Sequence, residues 1–371
     1  MQASYKSHEW DLVGTIPRKL SHADYGYIKN GNARSSTRQG LIDLVWSKAG
    51  LSLVWTPDTP DPVPPETVPF LVEAFQKKES AGASKTLWLG LLCLSIAAAL
   101  ALGFRESISF NPNIVVIAGI VILSHGIWLK LRSLHYTQLD AANDASFVRY
   151  SEWLKQGETT GYTLVTAVCI AAASLPQLIG KDAIAQFALV KPAVLNGEVW
   201  RLFTAILIQT NFSQTYFLFL LLIPFSKIFE RLMPKGFVPM VFLITAVMGN
   251  VFSVILRPST TSAGASGGVI GLLGFAAITM WLDKDRYPRK SFVWVMQAVV
   301  VLALIGPCGF EYFDNAAHLG GFVTGVLLGW LLSRLSEKEI EKRKKLFRFA
   351  GTAALVSLCC LAGFELYRMF A

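Results

Sequence analysis

The stretch from Thr261 to Leu282 limits what this chain can fold into, because it carries no charged residue and is long enough to cross a bilayer as one helix. Glycine is unusually frequent in its first half. Gly264 and Gly268 are four residues apart, as are Gly267 and Gly271, a spacing that lets a second helix approach closely in lipid. Because a glycine in a helix interior costs about 1 kcal/mol relative to alanine, so many glycines indicate a packing or functional requirement.

Ser266 lies among these glycines, at the expected start of the helix. One interpretation is that the glycine face serves only helix packing and that the serine is incidental. The other is that Ser266 is a nucleophile held at a helix N-terminus. The stretch by itself favours packing, because faces of small residues are common in membrane helices. The decision therefore depends on the rest of the chain.

Composition is typical of a membrane protein. The chain has 371 residues, of which 53% are hydrophobic and 16% charged, as in a polytopic protein with a modest soluble part. The net charge of +9 does not indicate nucleic-acid binding, because the basic residues flank apolar segments as the positive-inside rule describes. The five cysteines lie in or beside apolar segments without the spacing of a metal site. We therefore expect neither a metal nor a cofactor.

Apolar segments as long as a membrane helix recur from residue 86 onward, and they predict an all-α polytopic membrane protein. The predicted spans are Thr86–Phe104, Asn113–Leu129, Gly161–Gly180, Leu202–Ser226, Phe237–Leu256, Thr261–Leu282, Ser291–Phe310, Asn315–Ser333 and Phe349–Phe364.

Residues 1–84 are polar and mixed in charge, so we expect a small soluble region without a cleavable signal peptide. Leu51–Trp55 is a candidate strand in this region, and the segment from Pro57 to Pro69 is an expected proline-rich linker. No catalytic motif stands out there, so its role stays open.

Basic residues concentrate in alternate loops, and this predicts the orientation of the spans. They follow the fourth, sixth and eighth spans: Lys227, Arg231, Lys235, Lys284, Arg286, Arg289, Lys290, Arg334, Lys338, Lys342, Arg343, Lys344, Lys345 and Arg348. The intervening loops hold Arg257 alone, or Glu311 and Asp314 without a basic residue. We therefore expect a cytoplasmic N-terminal region, and we expect the Ser266 end of its helix to face the outside.

His125 and His318 are the histidines that lie within predicted spans. An ionisable residue inside a membrane is costly and marks a candidate site. His125 is near the end of its span, where an interfacial position explains it. His318 precedes Gly321 by three residues, so its imidazole emerges from a glycine-lined face. Because its helix and the Ser266 helix both enter from the outer side, packing them face to face would bring serine and histidine within hydrogen-bond reach.

These motifs resemble the signature of a known family. Gly264–Gly267 (GASG) in one span and Ala317–Gly321 (AHLGG) two spans later are similar to the paired motifs of the rhomboid intramembrane serine proteases. Asn196–Thr204, which contains a Trp-Arg pair, resembles the family's first outer loop, and Glu230-Arg231 matches another familiar position. The resemblance covers about residues 161–335, which it implies to be a rhomboid-like six-helix core. Two extra helices at residues 86–130 would precede this core, and one extra helix at residues 349–367 would follow it.

The resemblance also implies roles for individual residues. Ser266 would be the nucleophile and His318 the general base of a dyad without an acidic third member. Residues expected at the oxyanion or substrate site are Gln214, Gly264 and Gly267, and residues expected to pack the helices are Gly271, Gly321 and Gly325. The implied activity is a serine endopeptidase that cleaves transmembrane segments of other membrane proteins. The implied partners are such substrates and the lipid bilayer, not nucleic acid, and the implied location is a bacterial-type inner membrane or a plasma membrane.

Three positions depart from the family pattern. Gln214 and Leu218 stand where the family usually has a histidine and an asparagine that help to hold the oxyanion, and Ile270 replaces an aromatic residue. Losing one such donor typically costs on the order of 10²–10³ in rate. A catalytically weak or inactive rhomboid-like protein that binds membrane clients is therefore the alternative hypothesis. A transporter is a more distant one, because it would need polar groups at the midplane and repeated halves.

Overall fold

The structure is a computed structural model, and it describes residues 24–29, 32–47, 51–103, 112–156, 161–178, 182–209, 215, 218–219, 222–223, 226, 229–230, 233–284, 287–305 and 314–370. The chain divides into two compact units. The first comprises Met1–Gln156 and Lys284–Trp294, and the second comprises Gly157–Asp283 and Val295–Ala371.

The first unit contains a small antiparallel sheet. Its strands are β1 (Tyr25–Lys29), β2 (Asn32–Ser36), β3 (Leu53–Thr56) and β4 (Thr59–Val63), in the spatial order β2-β1-β3-β4, with helix α1 (Arg38–Trp46) between β2 and β3. Strand β3 includes most of the candidate strand at Leu51–Trp55. The other three strands were not expected from the sequence, because they are short and carry no clear alternation of polar and apolar residues.

The proline-rich segment is partly a strand rather than a linker. Val63 and Thr59 of β4 pair with Val54 and Thr56 of β3, so this part of the segment belongs to the sheet. Strand β4 lies at the sheet edge. Proline is tolerated in an edge strand because one side of such a strand has no hydrogen-bonding neighbour.

Three helices complete the described part of the first unit: α2 (Pro69–Gly103), α3 (Pro112–Leu134) and α4 (Gln138–Gln156). Helix α2 begins at Pro69, well before the predicted span start at Thr86, because Leu71 and Phe75 of its first turns are buried in the core of the first unit. The predicted boundary at residue 84 therefore falls inside a continuous helix. Helix α4 forms within a polar stretch and contributes Ala141 and Ala145, four residues apart, to the same core.

The second unit is helical apart from one short strand pair. Its described elements are α5 (Gly161–Leu178), α6 (Ala183–Phe187), β5 (Leu189–Val190), α7 (Lys191–Leu195), α8 (Arg201–Thr204), α9 (Phe237–Leu256), β6 (Thr261–Ser262), α10 (Ser266–Leu282), α11 (Arg289–Ile305), α12 (Asn315–Ser333), α13 (Glu337–Lys342) and α14 (Lys344–Phe370). The first residues of α11 belong to the first unit. We call α10 the serine helix and α12 the histidine helix.

The serine helix is shorter than the predicted span, because the chain before it has another structure. Residues Thr261 and Ser262 form β6, which pairs with Val190 and Leu189 of β5. The helix therefore begins at Ser266. The serine helix, the histidine helix and α9 pack against one another and form the part of the unit that holds the two motifs.

Four of the described helices are long and apolar enough to cross a membrane, judged by length and composition. They are the segments Pro69–Ala99, Phe237–Leu256, Asn315–Ser333 and Lys344–Phe370, and two shorter apolar helices span Gly161–Pro176 and Ser266–Leu282. The predicted all-α polytopic class is confirmed, with the small sheet as an addition. The last helix extends beyond both ends of the predicted segment at 349–367. Within the span predicted at 202–226, residues 210–214, 216–217, 220–221 and 224–225 lie outside the described residues.

Candidate active site

Ser266 lies at the N-terminus of its helix, after a turn that needs glycine. Gly264 has a φ angle of 146°, in a region that side chains rarely adopt. Its N–H donates to the carbonyl of Ala205 at 2.9 Å, which holds the turn against the chain that follows α8. Ser266 and Gly267 occupy the first turn of the helix, where backbone N–H groups have no partner within the helix.

His318 lies in the first turn of the histidine helix. The side chain of Asp314 caps this helix by accepting from the N–H groups of Ala316 and Ala317, each at 3.1 Å. The N–H of His318 in turn donates to the main-chain carbonyl of Asp314 at 3.0 Å. His318 is 8% exposed as a residue, so it is held inside the protein rather than at its surface.

The structure brings the two motifs together. His318 Nε2 lies 2.7 Å from Ser266 Oγ, within hydrogen-bond distance. A hydroxyl that donates to an imidazole nitrogen is the arrangement of a serine nucleophile and its base. The residues are 52 positions apart in the chain, so tertiary packing rather than local sequence sets this distance.

Glycines set the separation of the two helices. A methyl group at Gly321 would collide with the carbonyl oxygen of Gly267, and one at Gly325 would collide with the carbonyl oxygen of Gly271. The predicted packing residues Gly271, Gly321 and Gly325 therefore lie at the closest approach of the serine and histidine helices. Gly274 continues this contact against the backbone of Phe322.

Helix α9 contacts both the serine helix and the histidine helix near the two motifs. A methyl group at Gly249 would lie 2.6 Å from the carbonyl oxygen of Ala317, so α9 approaches the turn that carries His318. The hydroxyl of Thr245 donates to the carbonyl of Gly268 at 3.2 Å, two residues after Ser266. The first turns of the serine and histidine helices are therefore both in contact with α9.

Part of the chain matches a known protein family. Residues 196–335 match the model of the rhomboid domain family. RHOMBOID-like protein 4 of Arabidopsis thaliana is 31% identical to the chain over 143 residues, which are 38% of this chain and 36% of that protein. This part of the chain is similar to the rhomboid domain family. The matched region ends where the predicted core ends, but it begins at residue 196 rather than 161.

Other rhomboid relatives carry the word protease in their names. Rhomboid-like protease 3 of Toxoplasma gondii is 29% identical over 171 residues, covering 44% of this chain and 62% of that protein. Rhomboid protease GluP of Bacillus subtilis is 29% identical over 136 residues, covering 36% of this chain and 26% of that protein. The chain spans about a third of the length of RHOMBOID-like proteins 4, 7 and 1 of Arabidopsis thaliana.

The Trp-Arg segment at Trp200 and Arg201 forms a compact loop. The guanidinium of Arg201 donates to the carbonyls of Gln186 and Ala188, at 3.0 and 2.9 Å, and pairs with Glu198 at 2.6 Å. It also lies 4.5 Å from the centre of the Trp200 ring. Arg201 therefore ties together the two ends of the loop that leads to α8.

The predicted oxyanion residues are only partly described. Gln214 lies outside the described residues. Leu218, where the family usually has an amide, is buried, and Ile270 is buried in the serine helix. Gln209 is also buried, and neither atom of its amide has a hydrogen-bond partner among the residues that the structure describes. The donors placed beside Ser266 by its helix are therefore backbone N–H groups.

Sequence reasoning missed a charged group beside the rhomboid motif. Lys191 Nζ lies 2.8 Å from Asp314 Oδ2, and Ser253 also donates to this carboxylate. Burial would raise the pKa of Asp314, but the hydrogen bonds from Lys191 and Ser253 outweigh it and lower the pKa to about 2. Burial lowers the pKa of Lys191, and Asp314 offsets part of that shift. In the sequence, Asp314 could have been recognised as a helix cap, because an aspartate immediately before a helix is typical of the N-cap position.

Proposed function

We propose that this protein is a rhomboid-family intramembrane serine endopeptidase with Ser266 as nucleophile and His318 as general base. The observation that carries the proposal is the 2.7 Å distance between Ser266 Oγ and His318 Nε2. It joins side chains of two helices whose separation cannot vary freely, because glycine faces backbone along their contact. Protease-named relatives add support from outside the structure.

The reaction would proceed through an acyl-enzyme. His318 Nε2 takes the proton of the Ser266 hydroxyl as Oγ attacks the carbonyl carbon of the scissile peptide bond. N–H groups in the first turn of the serine helix, together with the Gln214 amide, would stabilise the negative oxygen. The imidazolium then gives its proton to the leaving nitrogen as the C–N bond breaks. Water activated by His318 hydrolyses the ester and restores the hydroxyl of Ser266.

The proposed substrates are transmembrane segments of other membrane proteins. A peptide bond inside a membrane helix is protected by the helix's own hydrogen bonds. We therefore expect cleavage near glycine, proline or other residues that weaken a helix. The distribution of basic residues supports a cytoplasmic N-terminal region and a site close to the outer face.

The test is labelling of the detergent-purified full chain with a fluorophosphonate probe, which reacts only with an activated serine. Wild type should label, and Ser266→Ala and His318→Ala should not. Ser357→Ala is the matched control, because the exposed hydroxyl of Ser357 donates to a carbonyl of its own helix, at Ala353. A wild-type chain that is folded and unlabelled would overturn the proposal.

Binding of membrane clients without cleavage is the second candidate function. Leu218 favours it, because a buried aliphatic side chain at this position offers no hydrogen bond to an oxyanion. The labelling experiment separates the two functions. A client-binding protein would retain transmembrane peptides in both the wild-type and Ser266→Ala forms and would label in neither.

A further inference from the structure

Two charged side chains of the second unit are almost completely removed from solvent, and neither belongs to the proposed dyad. The side chains of Lys191 and Asp314 are 1% and 7% exposed, and their charged atoms lie 2.8 Å apart. A buried ion pair is weak evidence for stability, because the cost of removing both charges from water can exceed their attraction. Stability alone therefore does not explain why two charged side chains are buried at this place.

Asp314 connects the pair to the histidine. One of its carboxylate oxygens accepts the N–H groups of Ala316 and Ala317, the two residues that precede His318. The other oxygen accepts from Lys191 and from the hydroxyl of Ser253 on α9. Both oxygens are therefore occupied, and the carboxylate fixes the orientation of the turn from which the imidazole projects.

Lys191 connects the same pair to the serine. Its ammonium group also donates to the hydroxyl of Thr260 at 2.6 Å, and its backbone N–H donates to the carbonyl of Thr260 at 3.4 Å. Thr260 is followed directly by β6, which pairs with β5 just before Lys191. The chain from Thr260 through β6 and the Gly264 turn then leads into Ser266.

One ion pair thus contacts both chain segments that lead to the dyad. Thr260 lies six residues before Ser266, and Asp314 lies four residues before His318. Catalytic groups held by buried hydrogen bonds keep a productive geometry, and a shift of about 1 Å can cost on the order of 10²-fold in rate.

We infer that Lys191 and Asp314 are positioning residues, which set the approach of the His318 imidazole to the Ser266 hydroxyl by clamping the two segments to one buried charge pair. The inference rests on the proposed function, since it names residues that serve the same site. It assigns neither residue a contact with substrate.

The test compares wild type with the double variant Lys191→Met/Asp314→Asn in the detergent-purified full chain. The double variant removes both charges together, so it leaves no unpaired buried charge, and asparagine still accepts at the helix cap. With the fluorophosphonate probe, we expect the maximal labelling rate to fall at least about tenfold. The probe concentration that gives half of that rate should change less than about twofold, because neither residue contacts the probe.

A second readout does not depend on activity. The backbone N–H groups of Ala316, Ala317 and His318 should exchange with deuterium at least about tenfold faster in the double variant, while those around Gly329 at the other end of the helix should be unchanged. If wild type fails to label, the proposed function fails, and the exchange rates still decide this inference. A double variant with wild-type labelling and exchange rates would overturn it.

Two further variants complete the design. Thr260→Val removes the hydrogen bond that the Lys191 ammonium donates to the serine segment, together with the bond from the Thr260 hydroxyl to the carbonyl of Arg257. We expect a smaller fall in labelling rate than in the double variant. If the double variant does not fold, an unchanged labelling rate in Thr260→Val would overturn the inference that the Lys191 ammonium positions the serine segment. Lys344→Met is the matched control, since Lys344 pairs with Glu341 at 3.1 Å on the exposed side of α13 and α14. It should leave labelling unchanged.

Discussion

Two helix pairs in this molecule are packed through glycine, and they use it differently. In the first unit, Gly119 of α3 faces the side chain of Leu94 of α2. In the second unit, Gly321 and Gly325 of the histidine helix face Gly267 and Gly271 of the serine helix, so one backbone lies against another. Both pairs come from apolar segments that the sequence predicts to be membrane spans.

The two pairs differ in whether the atoms that face the glycine can move away from an added methyl group. A methyl group added at Gly119 would lie 2.8 Å from the side chain of Leu94, which can change its rotamer. A methyl group added at Gly325 would meet the carbonyl of Gly271, which cannot move unless the helix moves. A glycine opposite a leucine side chain has a neighbour that can change its rotamer, whereas a glycine opposite a glycine carbonyl meets only backbone. The second kind occurs where Ser266 and His318 must meet.

The largest expected effect is that of Gly325→Ala. The methyl group collides with backbone, so the serine and histidine helices must separate, and we expect probe labelling to fall on the order of 10²-fold. Overpacking should also cost roughly 1–3 kcal/mol of stability. Labelling rates and thermal unfolding in detergent measure both effects. Wild-type labelling by this variant would show that the close contact does not set the dyad.

Gly90→Ala should affect stability but not activity. Its methyl group would lie 2.7 Å from the backbone nitrogen of Leu123, so overpacking of roughly 1–3 kcal/mol is partly offset by the better helix propensity of alanine, about 1 kcal/mol. We expect a lower unfolding temperature of the chain with less than about a twofold change in labelling. If labelling falls as far as in Gly325→Ala, the two helix pairs do not differ in the way described.

A compensating substitution sharpens the contrast. In the α2–α3 pair, Leu94→Ala should make room for Gly119→Ala, so the double variant should be more stable than additivity predicts by about 1 kcal/mol. No side chain can be shortened opposite Gly325, because its neighbour Gly271 is already glycine. Thermal unfolding of the two single variants and the double variant gives the coupling. Strict additivity would mean that Leu94 does not yield to the new methyl group.

The smallest expected effect is a gain. Gly363 lies in α14, and no atom of the residues that the structure describes lies within 4 Å of a methyl group added there. Gly363→Ala should therefore stabilise the chain by about 0.5–1 kcal/mol, since alanine loses less conformational freedom in a helix. An unfolding temperature at or slightly above the wild-type value is expected. A clear loss of stability would indicate that α14 packs more closely than the structure shows, and it would weaken the Gly325 argument as well.

The amount that could be predicted differs between the two units. The helix bounds Phe237–Leu256 and Asn315–Ser333 agree with the predicted spans, because apolar runs bounded by polar residues mark their own ends. The juxtaposition of Ser266 and His318 was also expected from their matching glycine faces. The sheet of the first unit was expected only at Leu51–Trp55, because its other strands are short and show no clear alternation of polar and apolar residues.

By itself, the sequence determined the membrane class, the glycine faces, and the position of Ser266 and His318 near the N-terminal ends of two helices. These features are local, since they depend on runs of neighbouring residues and on spacings of three or four. Only the tertiary structure decided that Lys191 pairs with Asp314, which lies 123 residues further along the chain. No local pattern encodes that contact, because it exists only once the loop before Trp200, helix α9 and the two motif helices have packed together.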